Sequence, residues 1–409
     1  MAVTAVSPVL RRARLGVFIL FMTNGMVWAN IAPRFPEIRA NLGLSYGQFG
    51  LAVMFSGFGA LAFGLAAAPL IRRFTSARVG LFSMVLMSMG AVLAVVAPNG
   101  YLFAIAFFAL GAIDSFVDVA QNAHGLRVQR EYGRNIINAF HGMWSVGAVI
   151  GGLTAAAATA LDIPVATHIA GISVVLIGLN VVGYRMLLKG PDNEPEAATA
   201  SANKGKQRVA PRVWVMLGVL SLIAICGAWV EDAAISWSAN YLHDELDAVA
   251  TVATFGFVAL MAMHFVGRMI GDRLIDRYGQ RFITRIGGII TAVGMGAALL
   301  WPSVPLTIIG FGLAGLGVAT TIPVAMHMAD ELPGFRTGTG LTILSWMLRL
   351  GFMLSPVIVG AIADETNLRT GLSLVVVAGV VIALAAQVLT KRPNEHVLEA
   401  ETPEPHPAP

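Results

Sequence analysis

Apolar residues dominate this chain in long runs that are separated by short polar segments. Twelve runs are long enough to cross about 30 Å of hydrocarbon as a helix, which takes roughly 20 residues. They lie near residues 15–33, 47–71, 79–97, 101–124, 136–159, 166–188, 213–236, 250–271, 283–300, 304–328, 340–362 and 370–390. The pattern therefore predicts an all-α membrane protein with twelve transmembrane helices.

The composition agrees with this pattern. Of the 409 residues, 56% are hydrophobic and only 12% are charged, whereas a soluble domain carries about 25% charged residues. The segments between the runs are short except at residues 189–212, which we predict to be a cytoplasmic linker between two bundles, 1–188 and 213–390. Residues 391–409 are rich in Pro and Glu, and we expect them to form a disordered cytoplasmic tail.

Basic residues are concentrated in alternate loops. One set of loops holds most of the Arg and Lys residues, and we call its side of the membrane the basic side. The other set, on the opposite side, holds only Arg34, Arg39 and Arg369. The positive-inside rule then predicts a bacterial inner-membrane protein with both termini and the linker in the cytoplasm. Because this asymmetry accounts for the net charge of +4, we predict no nucleic-acid partner.

The two halves of the chain match weakly at a shift of 204 residues. The matches fall at equivalent places in a six-span unit: Pro98 with Pro302, Arg73 with Arg277, Gly111 with Gly315, and Gly147 with Gly351. Since six spans separate the halves, both cross the membrane in the same orientation. The sequence thus predicts two parallel six-helix pseudo-repeats, an arrangement in which transporters hold substrate between the halves at mid-membrane.

The segment GDRLIDRYGQR, between the eighth and ninth spans, resembles the loop signature of the major facilitator superfamily. The resemblance implies the major facilitator fold and a cytoplasmic latch formed by Gly271, Asp276, Arg277, Gly279 and Arg281. In physical terms, a latch pairs a carboxylate with basic groups and helix ends. An ordinary charged loop that sets the topology is the alternative.

The segment from Asp118 to Gly152 resembles a bacterial subfamily that includes rhizopine-associated membrane proteins and, distantly, fucose permease. Asp118 and Asn122 occupy the acidic and amide positions of the fourth-span pattern, and the resemblance implies that this acid binds protons or sugar. In the seventh span the subfamily pattern leads us to expect Asp before Trp237, where this chain has Ser236. Which of the two nearby acids, Glu231 and Asp232, takes that role stays open.

Several acids lie inside predicted spans, where each ionised side chain costs roughly 2.5–3.5 kcal/mol. Asp114, Asp118 and Asn122 are spaced four residues apart and share one helix face. We therefore expect this face to line a cavity and predict a role in proton coupling for Asp118, Asp114, Glu231 and Asp232. A structural pair satisfied by a neighbouring helix is the alternative.

The other polar and aromatic residues inside the spans are candidates for substrate binding. Tryptophan stacks on the apolar faces of sugars, and histidine titrates near physiological pH. Arg349 either pairs with an acid or clamps an anionic group of a substrate, whereas we expect Arg268 to lie nearer the basic side and join the latch. The predicted set is Asn24, Trp28, Asn122, Asn138, His141, Trp144, His264, His327, Trp346 and Arg349.

These features predict a proton-coupled symporter of a small polar solute, sugar- or cyclitol-like, that works by alternating access. A proton-coupled exporter is the alternative, because SVGAVIGG, Ser145–Gly152, resembles the antiporter signature except for Ala148 in place of Pro. A third possibility is a sensor on a transporter fold. The chain lacks nucleotide-binding, zinc-protease and hydrolase motifs, so we expect no enzyme activity and no metal site. We also expect no cofactor beyond the proton gradient, and a monomer whose partners are its substrate and the lipid bilayer.

Overall fold

The computed structural model describes residues 7–133, 136–192, 210–333, 335 and 338–389, without the side chain of Asn138. The described part contains twelve helical segments that are long and apolar enough to cross a membrane, and β-strands do not occur within it. The predicted all-α class and the twelve spans are therefore confirmed. The predicted tail lies outside the described residues, as does most of the predicted linker.

The main helix of each span is numbered in chain order. They are α1 (Pro8–Ile31), α2 (Tyr46–Phe63), α3 (Ser76–Val95), α4 (Gly100–Tyr132), α5 (Ile137–Ala160), α6 (Val165–Met186), α7 (Pro211–Asn240), α8 (Phe255–Tyr278), α9 (Gln280–Leu300), α10 (Val304–Val318), α11 (Thr339–Glu365) and α12 (Leu368–Ala385). Short helices add to these spans: Phe35–Leu42, Ala67–Phe74, Ala250–Ala253 and Thr321–Asp330. A π-helical turn, Tyr241–Glu245, follows α7.

Side-chain caps fix where several of these helices begin. Ser45 and Gln48 form a capping box at the start of α2, since each side chain bonds to the backbone N–H of the other. Asn99 and Asn367 accept backbone N–H groups at the starts of α4 and α12. Each cap satisfies a donor that the first helical turn leaves unpaired. The loops on the opposite side of the membrane are thus specified locally by their sequence.

The two halves repeat not only in sequence but in packing. A Cβ atom on Gly111 of α4 would lie 1.8 Å from the carbonyl oxygen of Ser56 in α2. A Cβ atom on Gly315 of α10 would lie 2.3 Å from the carbonyl oxygen of Leu260 in α8. Both members of the pair are shifted by 204 residues, so α2 crosses α4 as α8 crosses α10. The fold is that of two parallel six-helix pseudo-repeats.

The turn on the basic side between the second and third spans also repeats. Gly279 has φ +84° and ψ 156°, and its counterpart Thr75 has φ +78° and ψ 148°. This region is essentially restricted to glycine. In the first half this turn is bound by a carboxylate from the start of the predicted linker. Asp192 accepts hydrogen bonds from the Ser76 backbone N–H at 2.5 Å and from the Ser76 hydroxyl at 2.7 Å. The start of the predicted linker is therefore bound to the first half.

Among the described residues, polar contacts of Asp244 and of Asp364 join the halves on the opposite side of the membrane, and we call these contacts the opposite-side seal. In the first, Asp244 of the second half accepts from the Arg39 guanidinium at 2.8 Å and from the Tyr46 hydroxyl at 3.0 Å. Trp237 lies beneath this contact, fully buried, with its ring edge-on to Tyr46 and Phe49 of the first half.

The second contact of the seal is a helix cap supplied by the other half. Asp364, near the end of α11, accepts the Ser45 hydroxyl at 2.6 Å. It also accepts the backbone N–H groups of Tyr46 at 2.8 Å and Gly47 at 2.9 Å. An anion at a helix N-terminus is stabilised by the helix dipole as well as by these bonds. The charge of Asp364 therefore holds α2 against α11.

Candidate functional site

A cavity of about 440 Å³ lies between the two halves. Residues of α1, α2, α4 and α5 line it from the first half, and residues of α7, α8 and α11 from the second. Its polar and titratable lining includes predicted site residues from both halves: Asn24, Trp28, Asp114, Asp118, His141, Trp144, Glu231 and Asp232. Since the opposite-side seal closes one end, we infer that solvent reaches the cavity from the basic side.

A second cavity, of about 530 Å³, lies on the opposite side among loop residues such as Arg34, Asp162 and His243. It is larger, but its buried cation is already satisfied. Arg34 pairs with Glu37 at 2.5 Å and donates to the carbonyl oxygen of Ile163 at 2.8 Å. We therefore take the central cavity as the candidate substrate site.

Asp114 is held by a chain of hydrogen bonds that crosses three helices. The Asn24 amide on α1 donates to the Asp114 carboxylate on α4 at 2.8 Å. The Trp144 indole on α5 donates to the Asn24 amide oxygen at 2.8 Å. The indole donor fixes which end of the Asn24 amide faces the acid. A change in the charge of Asp114 is thereby coupled to the packing of α1 and α5.

Asp118 lies one helical turn further along α4 and is held by its own helix. The Asn122 amide donates to the Asp118 carboxylate at 3.0 Å, and the Gln121 amide donates at 3.4 Å. Asp114 and Asp118, four residues apart on α4, both line the cavity, so the shared helix face expected for them is present. Gln121 lines the cavity and is only 2% exposed. The sequence places Gln121 beside the polar stripe of Asp114, Asp118 and Asn122, although it is absent from the predicted site set.

The second half contributes two acids from consecutive positions of α7. The Glu231 carboxylate lies 3.7 Å from the His264 imidazole of α8, and both side chains are buried. Asp232 also lines the cavity, with the hydroxyl groups of Ser236 and Ser355 close to its carboxylate. Each half thus places a pair of acids at the central cavity.

Arg268, which we expected nearer the basic side as part of the latch, lines the central cavity. It lies one turn beyond His264 on α8, and this spacing of four residues is the signal that pointed inward. Arg268 brings a positive charge to a cavity that is otherwise rich in carboxylates.

Other predicted residues lie elsewhere. The His327 side chain is 60% exposed and lies 3.5 Å from Glu331, so the structure places it outside the cavity, contrary to the prediction. Trp346 is 46% exposed and is likewise absent from the lining. Arg349 is exposed on α11 and is also absent from the cavity lining. His264 and Asn122 contact lining acids, and the Asn138 side chain lies outside the described residues.

The predicted latch residues lie at the basic side of the second half. Gly279 provides the turn, as expected from its sequence position, and Gly271 packs tightly against Thr320. Arg281 donates to the backbone carbonyls of Leu389 and Gln387, which belong to its own half. Asp276 and Arg277 are exposed. A latch between the halves stays a prediction.

An all-helical fold of two parallel repeats around a central polar cavity defines the class of secondary transporters. The sequence profile of the Major Facilitator Superfamily matches residues 17–273 and, in a second match, 220–408. The chain belongs to this superfamily, and it is a multi-pass membrane transporter rather than an enzyme.

Curated relatives extend over almost the whole chain. The uncharacterized transporter y4wD of Sinorhizobium fredii is 28% identical over 374 residues, which are 91% of this chain and 97% of the relative. The membrane protein MosC of Rhizobium meliloti is 29% identical over 368 residues, 90% of this chain and 87% of the relative. This match confirms the resemblance to rhizopine-associated membrane proteins.

A solved structure shows the same fold at low identity. The crystal structure of a D-xylose-proton symporter superposes with a TM-score of 0.70 at 13% identity. The superposition covers 93% of this chain and 98% of that one. At such identity the likeness establishes the major facilitator fold and leaves the cargo to be argued from the cavity.

Proposed function

We propose that this protein is a proton-coupled symporter of a small polar solute, sugar- or cyclitol-like. The observation that carries the proposal is the cavity between the halves, because each half brings two carboxyl groups to it. Ionised acids away from water are costly in a membrane protein and are retained where they serve a function such as a proton relay. The chain shares its fold with a D-xylose-proton symporter at 13% identity, so the cargo is argued from the cavity and not from that likeness.

The coupling follows from the contacts of the acids. Protonating a buried carboxyl group removes its charge and changes the hydrogen bonds that it accepts. The Asp114 carboxylate is bonded to Asn24, which is bonded to Trp144, so its protonation state acts on the packing of α4 against α1 and α5. The protein alternates between a state open to one side of the membrane and a state open to the other. Cargo and proton each shift the balance between these two states by as much as their affinity differs between them.

The proposed orientation places the basic side in the cytoplasm of a bacterial inner membrane, in line with the positive-inside rule. In this orientation the seal at Arg39 and Asp364 closes the external side, and the cavity faces inward. We further propose that the protein works as a monomer in the bilayer, with the proton gradient as its energy source and no bound cofactor.

Export by antiport receives less support from the structure. The glycines of Ser145–Gly152 have a packing explanation that is independent of transport direction. A Cβ atom on Gly147 would lie 2.0 Å from the carbonyl oxygen of Met22, and one on Gly151 would lie 2.7 Å from Ala29. These glycines let α5 approach α1 closely, and they need no antiport role.

The test is proton-driven uptake by purified protein in proteoliposomes, with radiolabelled sugars and cyclitols beginning with D-xylose. Asp118→Asn keeps the size of the side chain and removes its titration, so we expect loss of uphill uptake while exchange down a gradient persists. Asp162→Asn is the matched control, because Asp162 is exposed and Asn tolerates its positive φ. Uphill uptake by Asp118→Asn at the control rate would reject coupling through Asp118.

A further inference from the structure

The turn between the second and third spans differs in chemistry between the two halves. In the second half it carries Asp276 and Gly279, whereas Arg72 and Thr75 stand at the positions shifted by 204 residues. Thr75 nevertheless adopts the backbone conformation of Gly279, with φ +78° and ψ 148°. Such a conformation is strained for threonine and persists only where the surrounding structure holds it.

Asp192, at the start of the predicted linker, supplies the carboxylate that this turn lacks. Its side chain is only 12% exposed, accepts the backbone N–H and the hydroxyl of Ser76, and lies 3.4 Å from the Arg127 guanidinium. Ser76 is the first residue of α3, so the anion also lies at a helix N-terminus, where the helix dipole stabilises it. The strained ψ angle of Thr75 orients the peptide group whose N–H points at Asp192.

A buried histidine of α4 extends this contact. His124 Nε2 accepts the Leu188 backbone N–H at 3.2 Å. In the neutral imidazole the proton is then on Nδ1, which donates to the Ser76 hydroxyl oxygen at 2.8 Å. The hydroxyl hydrogen of Ser76 is left for Asp192, so each donor in this chain has one acceptor. His124 and Ser76 are both fully buried.

An arginine of the same helix holds the main chain that leads to Asp192. The Arg127 guanidinium donates to the carbonyl oxygens of Lys189 at 2.8 Å and Gly190 at 3.0 Å. The second half has a comparable clamp, in which Arg281 donates to two main-chain carbonyls just beyond α12. In each half, therefore, an arginine holds the segment that leaves the last span.

The turn at Thr75 ends the span that joins the halves at its other end. This span begins at the opposite-side seal, where Asp364 caps α2, and runs to Phe74. Near the seal α2 lies against α11, since a Cβ atom on Gly50 would lie 2.2 Å from the Pro356 carbonyl oxygen. When the halves rock and the seal opens, the basic-side end of this span moves toward the second half.

We propose that residues 188–192 are a working part of the first half, with Asp192 as a positioning residue. Asp192 takes the place of the carboxylate that the turn lacks, and it holds the basic-side end of the second span to α4. Without it, the turn leaves its strained conformation, and the first half loses a rigid surface that meets the second half when the basic side closes. This role depends neither on which solute is carried nor on proton coupling.

The first measurement is trypsin cleavage after Lys189 in the purified full-length protein, followed by mass spectrometry. Lys189 is exposed, but Arg127 holds the carbonyl group of the bond to be cut, so cleavage requires release of the segment. We expect cleavage in Asp192→Ala to be about tenfold or more faster, since a largely buried charged acceptor is lost. Ser76→Ala leaves the sequence around the cleavage site unchanged, and we expect a smaller increase. Asp330→Ala removes an exposed acid of the basic side and is expected to keep the parent rate.

The second measurement reports the closing of the basic side. A cysteine introduced at Val53, which lines the central cavity on α2, reacts with a membrane-impermeant maleimide from the opposite side only when the seal is open. The background is Asp364→Ala with Cys226→Ser, which releases the seal and removes the native thiol. In this background we expect Asp192→Ala to lower the labelling rate about fivefold or more, because the basic side closes less often. Asp330→Ala is expected to leave the rate unchanged.

Unchanged cleavage after Lys189 in both Asp192→Ala and Ser76→Ala would show that these bonds do not hold the segment. Faster cleavage with unchanged labelling would make Asp192 a point of attachment only and would overturn its positioning role. If Asp192→Ala does not fold, Ser76→Ala decides the outcome in both measurements, because it keeps the carboxylate and the backbone bond.

Discussion

Replacing Asp364 with alanine is expected to release the opposite-side seal. This carboxylate accepts three hydrogen bonds from the start of α2, one from the Ser45 hydroxyl and two from the backbone N–H groups of Tyr46 and Gly47. All three donors belong to the other half of the molecule. The bonds therefore exist only in states in which α2 and α11 meet on this side, and their loss acts on the balance between states.

The size of the effect follows from these contacts. Hydrogen bonds to a charged group contribute roughly 1.5–3 kcal/mol each when they are shielded from water. Asp364 is exposed, so water replaces much of what the bonds provide, as it does for charged groups at the surface in general. We estimate a total of about 1–3 kcal/mol, which changes the ratio of open to closed molecules by a factor of roughly 5–150.

The assay is labelling of a cysteine that the seal protects. Val53 lines the cavity on α2 and is 8% exposed, so Val53→Cys reports access from the opposite side to a membrane-impermeant maleimide. The native Cys226 is buried and is replaced by serine to clear the background. Glu365→Ala is the matched control, since Glu365 is the adjacent exposed acid.

We expect the introduced cysteine at position 53 to be labelled roughly 5–150 times faster in the Asp364→Ala variant than in the Val53→Cys parent protein. In the Glu365→Ala variant we expect the parent rate. Equal rates for the two variants, with both proteins folded, would show that the cap does not hold the halves together. A faster rate in both variants would assign the effect to the net charge of this loop instead of to the cap.

Two further substitutions test the packing and the backbone. Gly50→Ala places a Cβ atom 2.2 Å from the carbonyl oxygen of Pro356 in the other half, so it is expected to open the same side and raise Val53→Cys labelling. Gly171→Ala, whose Cβ has nothing within 4 Å, is the control that leaves labelling unchanged. Thr75→Gly removes a backbone strain of about 1–3 kcal/mol. The greater chain entropy that glycine has in the unfolded state offsets about 0.5–1 kcal/mol of this gain in stability. The melting temperature in detergent is expected to rise, and a fall would contradict the strain at Thr75.

Hydropathy predicted the membrane spans because length and apolar content alone decide whether a helix can cross a bilayer. The internal repeat could also be predicted from the sequence. Where two helices cross closely, as at Gly111 and Ser56, the same small residue is needed at the equivalent position of the other half. The acids Asp114 and Asp118 stood out for a similar reason. A charge inside an apolar span is costly wherever it points, so its presence is informative without a structure.

For less polar residues, the sequence did not predict which surface of the helix faces the cavity. His327 and Trp346 lie on spans whose lipid, cavity and solvent faces are not separated by a polar stripe, so sequence position alone did not show that both are exposed. The link from Trp144 to Asn24 joins residues 120 positions apart. Such contacts depend on how whole helices are rotated against each other, which the pattern along one helix does not fix.

The cap at Asp364 also has a consequence for how this transporter tolerates sequence change. Two of its three donors are main-chain amides of Tyr46 and Gly47, and a main-chain amide is present whichever amino acid stands there, proline excepted. The amide at Tyr46 is thus kept by any other residue, whereas Gly47 is constrained by space, since a Cβ atom there would lie 2.6 Å from the Asp364 Oδ2 atom. The acceptor has no main-chain substitute, so mutational sensitivity at this contact is expected at Asp364 in the second half and at Gly47 in the first.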